Sequence, residues 1–238
     1  MKILGVDSSA TAASVAVTVD GKVVAQTFSN TGLTHSQTLL PMLDSTLKTA
    51  GIDINDIDLI AVSNGPGSFT GVRIGVSAVK GIAQPLGKAC VALSTLEVIA
   101  KPLENSGCYA VAVMDARCNQ VYTAQFDCEN GFARVTEDEA ITIDELGEKL
   151  KAISKPIVLI GDGTNVAYKK LKDSLNNIRP APQSIRYQCA SNVCLVAEEK
   201  VESGIKGDIA HNILPNYLRL SQAERELKNK NKFGVLMI

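Results

Sequence analysis

Apolar residues recur along the chain with two periods, and the places where the period changes mark out the elements. Residues 2–7 form an apolar run with an acidic end, residues 14–19 alternate, and residues 22–28 follow the Asp20-Gly21 dipeptide that signals a tight hairpin. Three strands are predicted there. The period then lengthens: Leu39, Leu40, Leu43, Leu47 and Ala50 return at helical spacing through residues 34–50, and Gly51 supplies a stop. Pro41 is read as the first position of the regular helix, where a missing N–H loses nothing. Residues 57–63 read as a buried strand, 71–84 as a helix ended by Pro85 and Gly87, and 89–93 as a short strand. A helix capped by Ser94 or Thr95 ends near Pro102. After residue 105 the pattern restarts with a hairpin (109–114 and 120–126) around Asp115-Ala116-Arg117-Cys118-Asn119. A helix (144–153), a buried strand (156–160), a second glycine loop (161–165) and a last helix (189–203) follow. Hairpins followed by alternating helices and strands, twice over, predict an α/β chain of two halves, residues 1–105 and 106–238.

One stretch carries most of the candidate chemistry, Ser63-Asn-Gly-Pro-Gly-Ser-Phe-Thr-Gly-Val-Arg-Ile-Gly75. Gly65, Pro66 and Gly67 break the strand, and Ser68 or Thr70 is placed to cap the helix that contains Gly71. A glycine turn running into a helix N-terminus suits an anion, because free N–H groups and the positive dipole end point at it. The same turn also suits close packing of a helix on a sheet. The spacing matches neither the P-loop nor the dinucleotide fingerprint.

Composition narrows the classes. With 45% hydrophobic and 21% charged residues among 238, the chain is an ordinary globular one, with no apolar run of membrane-spanning length. It opens directly into a strand pattern with no leader signature, so a cytoplasmic location is expected. Net charge is −1, tryptophan is absent, and no basic face precedes Lys228, Lys230 and Lys232, so a nucleic-acid substrate would be held mainly by another subunit. Six cysteines stand at 90, 108, 118, 128, 189 and 194 without a Cys-x-x-Cys pair, which predicts free, mostly buried thiols rather than a zinc site. His35 and His211 each lack a second histidine four residues away, so no metal site on one helix turn is expected.

The motifs together identify a resemblance. Ile3-Leu-Gly-Val-Asp7-Ser8-Ser9, His35-Ser-Gln-x-Leu-Leu-Pro41, the loop from Asn64 to Gly75, Ser94-Thr-Leu96, Asp115-Ala-Arg117 and Pro215-x-Tyr-Leu-Arg219 span nearly the whole chain. In this order they resemble the actin-like superfamily and, within it, the TsaB (YeaZ) family, whose members take part in making threonylcarbamoyladenosine on tRNA. The resemblance implies two actin-like (ribonuclease H-like) halves, each a mixed sheet flanked by helices. It implies a non-catalytic scaffold for a TsaD-like transferase and, through it, a TsaE-like ATPase, serving the adenosine beside the anticodon. tRNA would be met mainly through these partners, and the free chain would pair as a homodimer. The partner face would lie on the helices at 36–50 and 71–84, with Leu39, Leu43, Leu47, Val72, Arg73 and Val76 as its residues. A degenerate nucleotide cleft would use Asp7, Ser8, Ser9, Asp115, Gly161 and Gly163. Arg117 follows Asp115 where actin-like kinases have glycine, so weak ATP or ADP binding is the most expected, with no required cofactor and no catalytic residue. The rival reading is an autonomous actin-like phosphotransferase on a small metabolite. A peptidase reading finds no histidine near Ser8, Ser9 or Ser68 in sequence.

Overall fold

The computed structural model describes residues 1–219, so the basic and apolar tail segments noted above lie outside the described residues. The first sheet holds β1 (Lys2–Asp7), β2 (Ala13–Val19), β3 (Lys22–Ser29), β4 (Leu59–Gly65) and β5 (Ala89–Ser94), in the order β3-β2-β1-β4-β5. The hairpins run antiparallel, while β1, β4 and β5 run parallel. Asp20 and Gly21 both take positive φ, the geometry that lets a two-residue turn follow the strand twist. Side chains along β1 alternate between two layers. Leu4 and Val6 meet α1 (His35–Ala50) and α2 (Phe69–Leu86), whereas Ile3 meets α6 (Ala190–Glu202) on the opposite face.

The second sheet, ordered β11-β10-β6-β7-β8 with β9 also on β7, is built from β6 (Cys108–Asp115), β7 (Gln120–Cys128), β8 (Ala133–Arg134), β9 (Glu139–Thr142), β10 (Ile157–Ile160) and β11 (Ile178–Pro180). α4 (Ile143–Leu150) and α5 (Thr164–Leu171) cover one face, and α3 (Thr95–Ala100) packs on the other. Val98 of α3 also joins the core beneath α6, so these two helices tie the halves together. Lys101, just past α3, is buried and held by Glu199 of α6 at 2.5 Å and by Glu104 at 2.9 Å. α6 thus lies late in sequence yet forms a layer of the first sheet.

Three details differ from the sequence expectation. α1 starts at His35 and runs through the exposed Pro41, because Leu39 upstream is already buried on the sheet and holds the first turn in place. β8, β9 and β11 are short edge elements with no sustained alternation, so no period announced them. α2 likewise runs through Pro85, expected to help end it, as far as Leu86, and stops at Gly87 in the left-handed conformation. The thiols are free and mostly buried as expected, with Cys90, Cys108, Cys128 and Cys194 buried, Cys189 half-buried and Cys118 exposed.

α6 approaches β1 closely at Gly5, where an added Cβ would lie 2.5 Å from the Ala190 carbonyl and 2.6 Å from Cys194 Sγ. Gly5→Ala is therefore expected to lose about 1–3 kcal/mol of stability, because a methyl group must displace backbone rather than a flexible side chain. Urea denaturation monitored by circular dichroism measures it, and an unchanged midpoint would refute this account of the α6–β1 packing.

Candidate functional site

Asp7 ends β1 and is fully buried. Its carboxylate accepts from the Ser9 amide at 2.9 Å, the Ser9 hydroxyl at 2.7 Å and the Ser63 hydroxyl at 2.5 Å. Burial pushes its pKa up, against the pull of these donors. The Ser8 hydroxyl donates to the Gly71 carbonyl at 2.9 Å. Asp7, Ser8 and Ser9, expected to line a nucleotide cleft, are thus turned inward in this conformation, their polar atoms taken up by the first half itself.

The second half presents a more open edge. Asp115 is exposed at the end of β6, its carboxylate accepting from the Arg117 amide at 2.7 Å while its own amide donates to Asp162 at 3.1 Å. Asp162 is pushed up to about 6, first by burial and then by the neighbouring Asp115 charge. Gly161 and Gly163 serve a close approach rather than a wide cradle. A Cβ on Gly161 would collide with the Val113 carbonyl, and one on Gly163 would sit 2.9 Å from the backbone of Met114 and Asp115. Arg117, Cys118 and Asn119 all take left-handed φ, which sequence alone does not signal for residues other than glycine.

The glycine loop between β4 and α2 is occupied by the protein's own oxygens. Ser68 caps α2 by accepting from the Gly71 amide, and its own amide donates to the Ser9 carbonyl at 2.6 Å. A Cβ on Gly67 or Gly71 would collide with the carbonyl of Ser9 or Ser8, and one on Gly65 with that of Asn216. Gly75 passes 2.5 Å from Ser8 Oγ by the same measure. Partial negative charge from carbonyl oxygens therefore sits where an external anion would have to bind. Pro66 is buried within this turn.

On α1 and α2 the expected partner residues separate by burial. Leu39, Leu43, Leu47, Val72 and Val76 lie in the core against the sheet, so their side chains are covered and the expected stripe is corrected for these five. Arg73 is exposed, stacked over the Phe69 ring at 3.9 Å with its Nε donating to the Tyr217 hydroxyl at 2.7 Å. The outward surface belongs to Leu40, 54% exposed, with Pro41, Ser77 and Gly81, while Ile74 and Ala78 are half-buried at the edge of the core. Ile74, Ala78, Gly81 and Pro85 recur at helical spacing on the helix expected from the sequence to carry the partner face. Gly81 has nothing within 4 Å of an added Cβ and an ordinary helical φ, so nothing within the chain requires glycine there.

The histidines stand apart. A ring nitrogen of His35 is 2.6 Å from the Ala10 carbonyl, whereas His211 borders a hollow of about 360 Å³ at the far end of α2. Among the described residues, no three His, Cys, Asp or Glu side chains are grouped to hold a metal ion.

Two mixed sheets, each flanked by helices, define an actin-like α/β protein of two halves. Component A of the (R)-2-hydroxyglutaryl-CoA dehydratase of Acidaminococcus fermentans shares that fold at 15% identity, with a TM-score of 0.50 over 85% of this chain and 99% of its own. YeaZ from Pseudomonas aeruginosa superposes with a TM-score of 0.74 at 25% identity, covering 91% of this chain and 99% of its own. In sequence the chain is 32% identical to the tRNA threonylcarbamoyladenosine biosynthesis protein TsaB of Escherichia coli K12, over 97% of this chain and 100% of that protein. It is 30% identical to Bacillus subtilis TsaB over 94% of this chain and 96% of the relative. The pattern of the related TsaD family, described as tRNA N6-adenosine threonylcarbamoyltransferase, matches residues 29–227. The chain belongs to the TsaB (YeaZ) family of the actin-like ATPase superfamily.

Two outcomes follow from the site's geometry. Gly71→Val is expected to lower stability by about 2–4 kcal/mol, since a branched side chain would strike the Ser8 carbonyl; a melting temperature equal to the parent's would contradict it. Asp162 holds its proton more tightly folded than unfolded, so its contribution to stability falls as pH rises from about 4 to 6 and stays lost above. Asp162→Asn should therefore raise the midpoint of urea unfolding at pH 7.5, by on the order of 2 kcal/mol, with the gain vanishing below pH 4. A gain that grows toward acid pH would refute the sign.

Proposed function

We propose that this chain is a non-catalytic partner subunit in the formation of threonylcarbamoyladenosine on tRNA, at the adenosine next to the anticodon, and that it docks a TsaD-like transferase on the outer face of α1 and α2. The carrying observation is the end-to-end likeness to proteins named for tRNA threonylcarbamoyladenosine biosynthesis. The form of the outer face supports the docking part. Gly81 and Ala78 leave the α2 backbone open to another helix, and Leu40 and Ile74 supply apolar contact beside them. A glycine inside a helix costs about 1 kcal/mol relative to alanine, which close approach by a partner would offset.

In this reading residues 1–105 carry the docking face and residues 106–238 form the other half, although α6 returns to the first sheet. A TsaE-like ATPase joins through the complex, and tRNA is met mainly through the partners, in keeping with a net charge of −1 and no tryptophan. The same face closes a homodimer when the transferase is absent. Asp7, Ser8 and Ser9 are buried and internally bonded, so they offer no group for phosphoryl transfer. Any nucleotide contact falls on the Asp115 and Gly163 side and is weak. No helix among the described residues is long and apolar enough to cross a membrane, in keeping with a cytoplasmic place of work.

Leu40→Glu and Gly81→Leu test the face, since both positions are exposed and leave the core intact. Each should cut co-purification of the TsaD-like subunit at least tenfold while the melting temperature of the lone chain moves by only a few degrees. Undiminished recovery of the complex with both variants would remove this face from the interface. Sustained ADP release by the chain alone with ATP and magnesium would instead favour the phosphotransferase reading.

A further inference from the structure

We propose that residues 213–219 form a latch between the two halves, anchored along the first half and closed on the second by Arg219. The anchor is extensive. Lys80 of α2 donates to the carbonyls of His211 at 2.9 Å and Ile213 at 3.2 Å, and Ile213 is buried in the first-half core. The Asn64 side chain donates to the Leu214 carbonyl at 2.9 Å, and the Asn216 amide returns a bond to the Asn64 carbonyl at 2.7 Å. The Asn216 carbonyl occupies the space that a Cβ on Gly65 would fill. The Tyr217 ring then stacks on Phe69, centroids 4.3 Å apart, while its hydroxyl accepts from Arg73. All of these partners belong to β4, α2 or the turn between them.

Two residues further on the partner changes half. Arg219 Nη1 donates at 2.8 Å to the carbonyl of Ala116, in the turn between β6 and β7. A two-residue step spans about 7 Å of extended chain, so the anchored ring of Tyr217 holds Arg219 close enough for its guanidinium to meet the second half's turn. The turn is suited to receive it. Its left-handed run at Arg117, Cys118 and Asn119 is fixed by Asp115, which holds the Arg117 amide, and by the Ala116 amide bonded to the Gln120 carbonyl. That leaves the Ala116 carbonyl as the acceptor for a cation that stays charged at every physiological pH.

The two ends of the segment differ in strength. The first-half side is a run of packed and bonded groups, whereas the contact with the second half is one charge-assisted hydrogen bond among the described residues. The latch therefore opens at Arg219 and stays seated at Tyr217. Elsewhere the halves are joined through α3 and α6 and by Ala10 of the turn after β1, so release at Arg219 lets them rotate about that junction.

The test measures the separation of the halves. Spin labels go on Asp44→Cys in α1 and Lys169→Cys in α5, both exposed, in a Cys118→Ser background that removes the fully exposed native thiol among the described residues. Pulsed electron resonance on the full chain should show a distance distribution that broadens and moves outward in Arg219→Ala, and stays near the parent in Arg219→Lys, which keeps a charged donor. Hydrogen exchange at the Asn216 amide should change less than threefold in both, because that bond lies on the anchored side. If the alanine variant folds poorly, Arg219→Gln is read in the same way. A distribution identical to the parent's in the variant without the charge overturns the latch. So does a tenfold loss of protection at Asn216, which would make Arg219 part of the anchor.

Discussion

The close contact between the start of α2 and the turn after β1 is the constraint on which the remaining features depend. Helix and turn meet backbone to backbone at Gly67 and Gly71, and the Ser8 hydroxyl fits against Gly75, which is possible only because these residues carry no Cβ. That approach brings the Ser68 amide to the Ser9 carbonyl and the Gly71 carbonyl to the Ser8 hydroxyl. With the turn pinned, Asp7 is enclosed and must find its donors locally, as it does in Ser9 and Ser63. A carboxylate in such a place is costly unless satisfied, and three donors keep it compatible with the fold.

The same contact sets the orientation of α2. Once Gly71, Val72, Gly75, Val76 and Val79 face the turn and the sheet, the opposite side of the helix is left to Arg73, Ser77 and Gly81. The outer side of α1 is fixed in parallel by Leu39, Leu43 and Leu47 going inward. An outward face and a packed core are thus two sides of one helix pair, and which residues face outward follows from the side on which the glycines pack. The segment after α6 inherits the geometry as well, because its seat on Gly65, Phe69 and Arg73 exists only where α2 begins.

Glycine therefore plays a different part in each loop of this protein than its spacing suggests. Between β4 and α2 it admits carbonyl oxygens, and after β10 it admits the end of β6. Both loops resemble anion cradles as strings of letters, and in both the chain's own backbone fills the space. Gly81, within α2, is exposed and would meet nothing inside the chain with an added Cβ.

Much of the architecture was legible in the sequence, because long apolar runs and periodic stripes impose their own local structure. The hairpin at Asp20-Gly21, the caps at Ser68 and Ser94, the stops at Gly51 and Gly87 and the return of the pattern after residue 105 all act through the nearest few residues. The side of α1 and α2 that faces the sheet was not legible, since Leu39 and Leu40 are adjacent, alike in chemistry, and opposite in fate. Nor was the inward turn of Asp7, which depends on Ser63, 56 residues away. Periodicity records that a helix has an apolar stripe, but the identity of its neighbour is set by contacts between distant parts of the chain. Only the tertiary structure brings Asn216 to Gly65 and Arg219 to Ala116, because the free energy of those contacts exists only after both halves have folded.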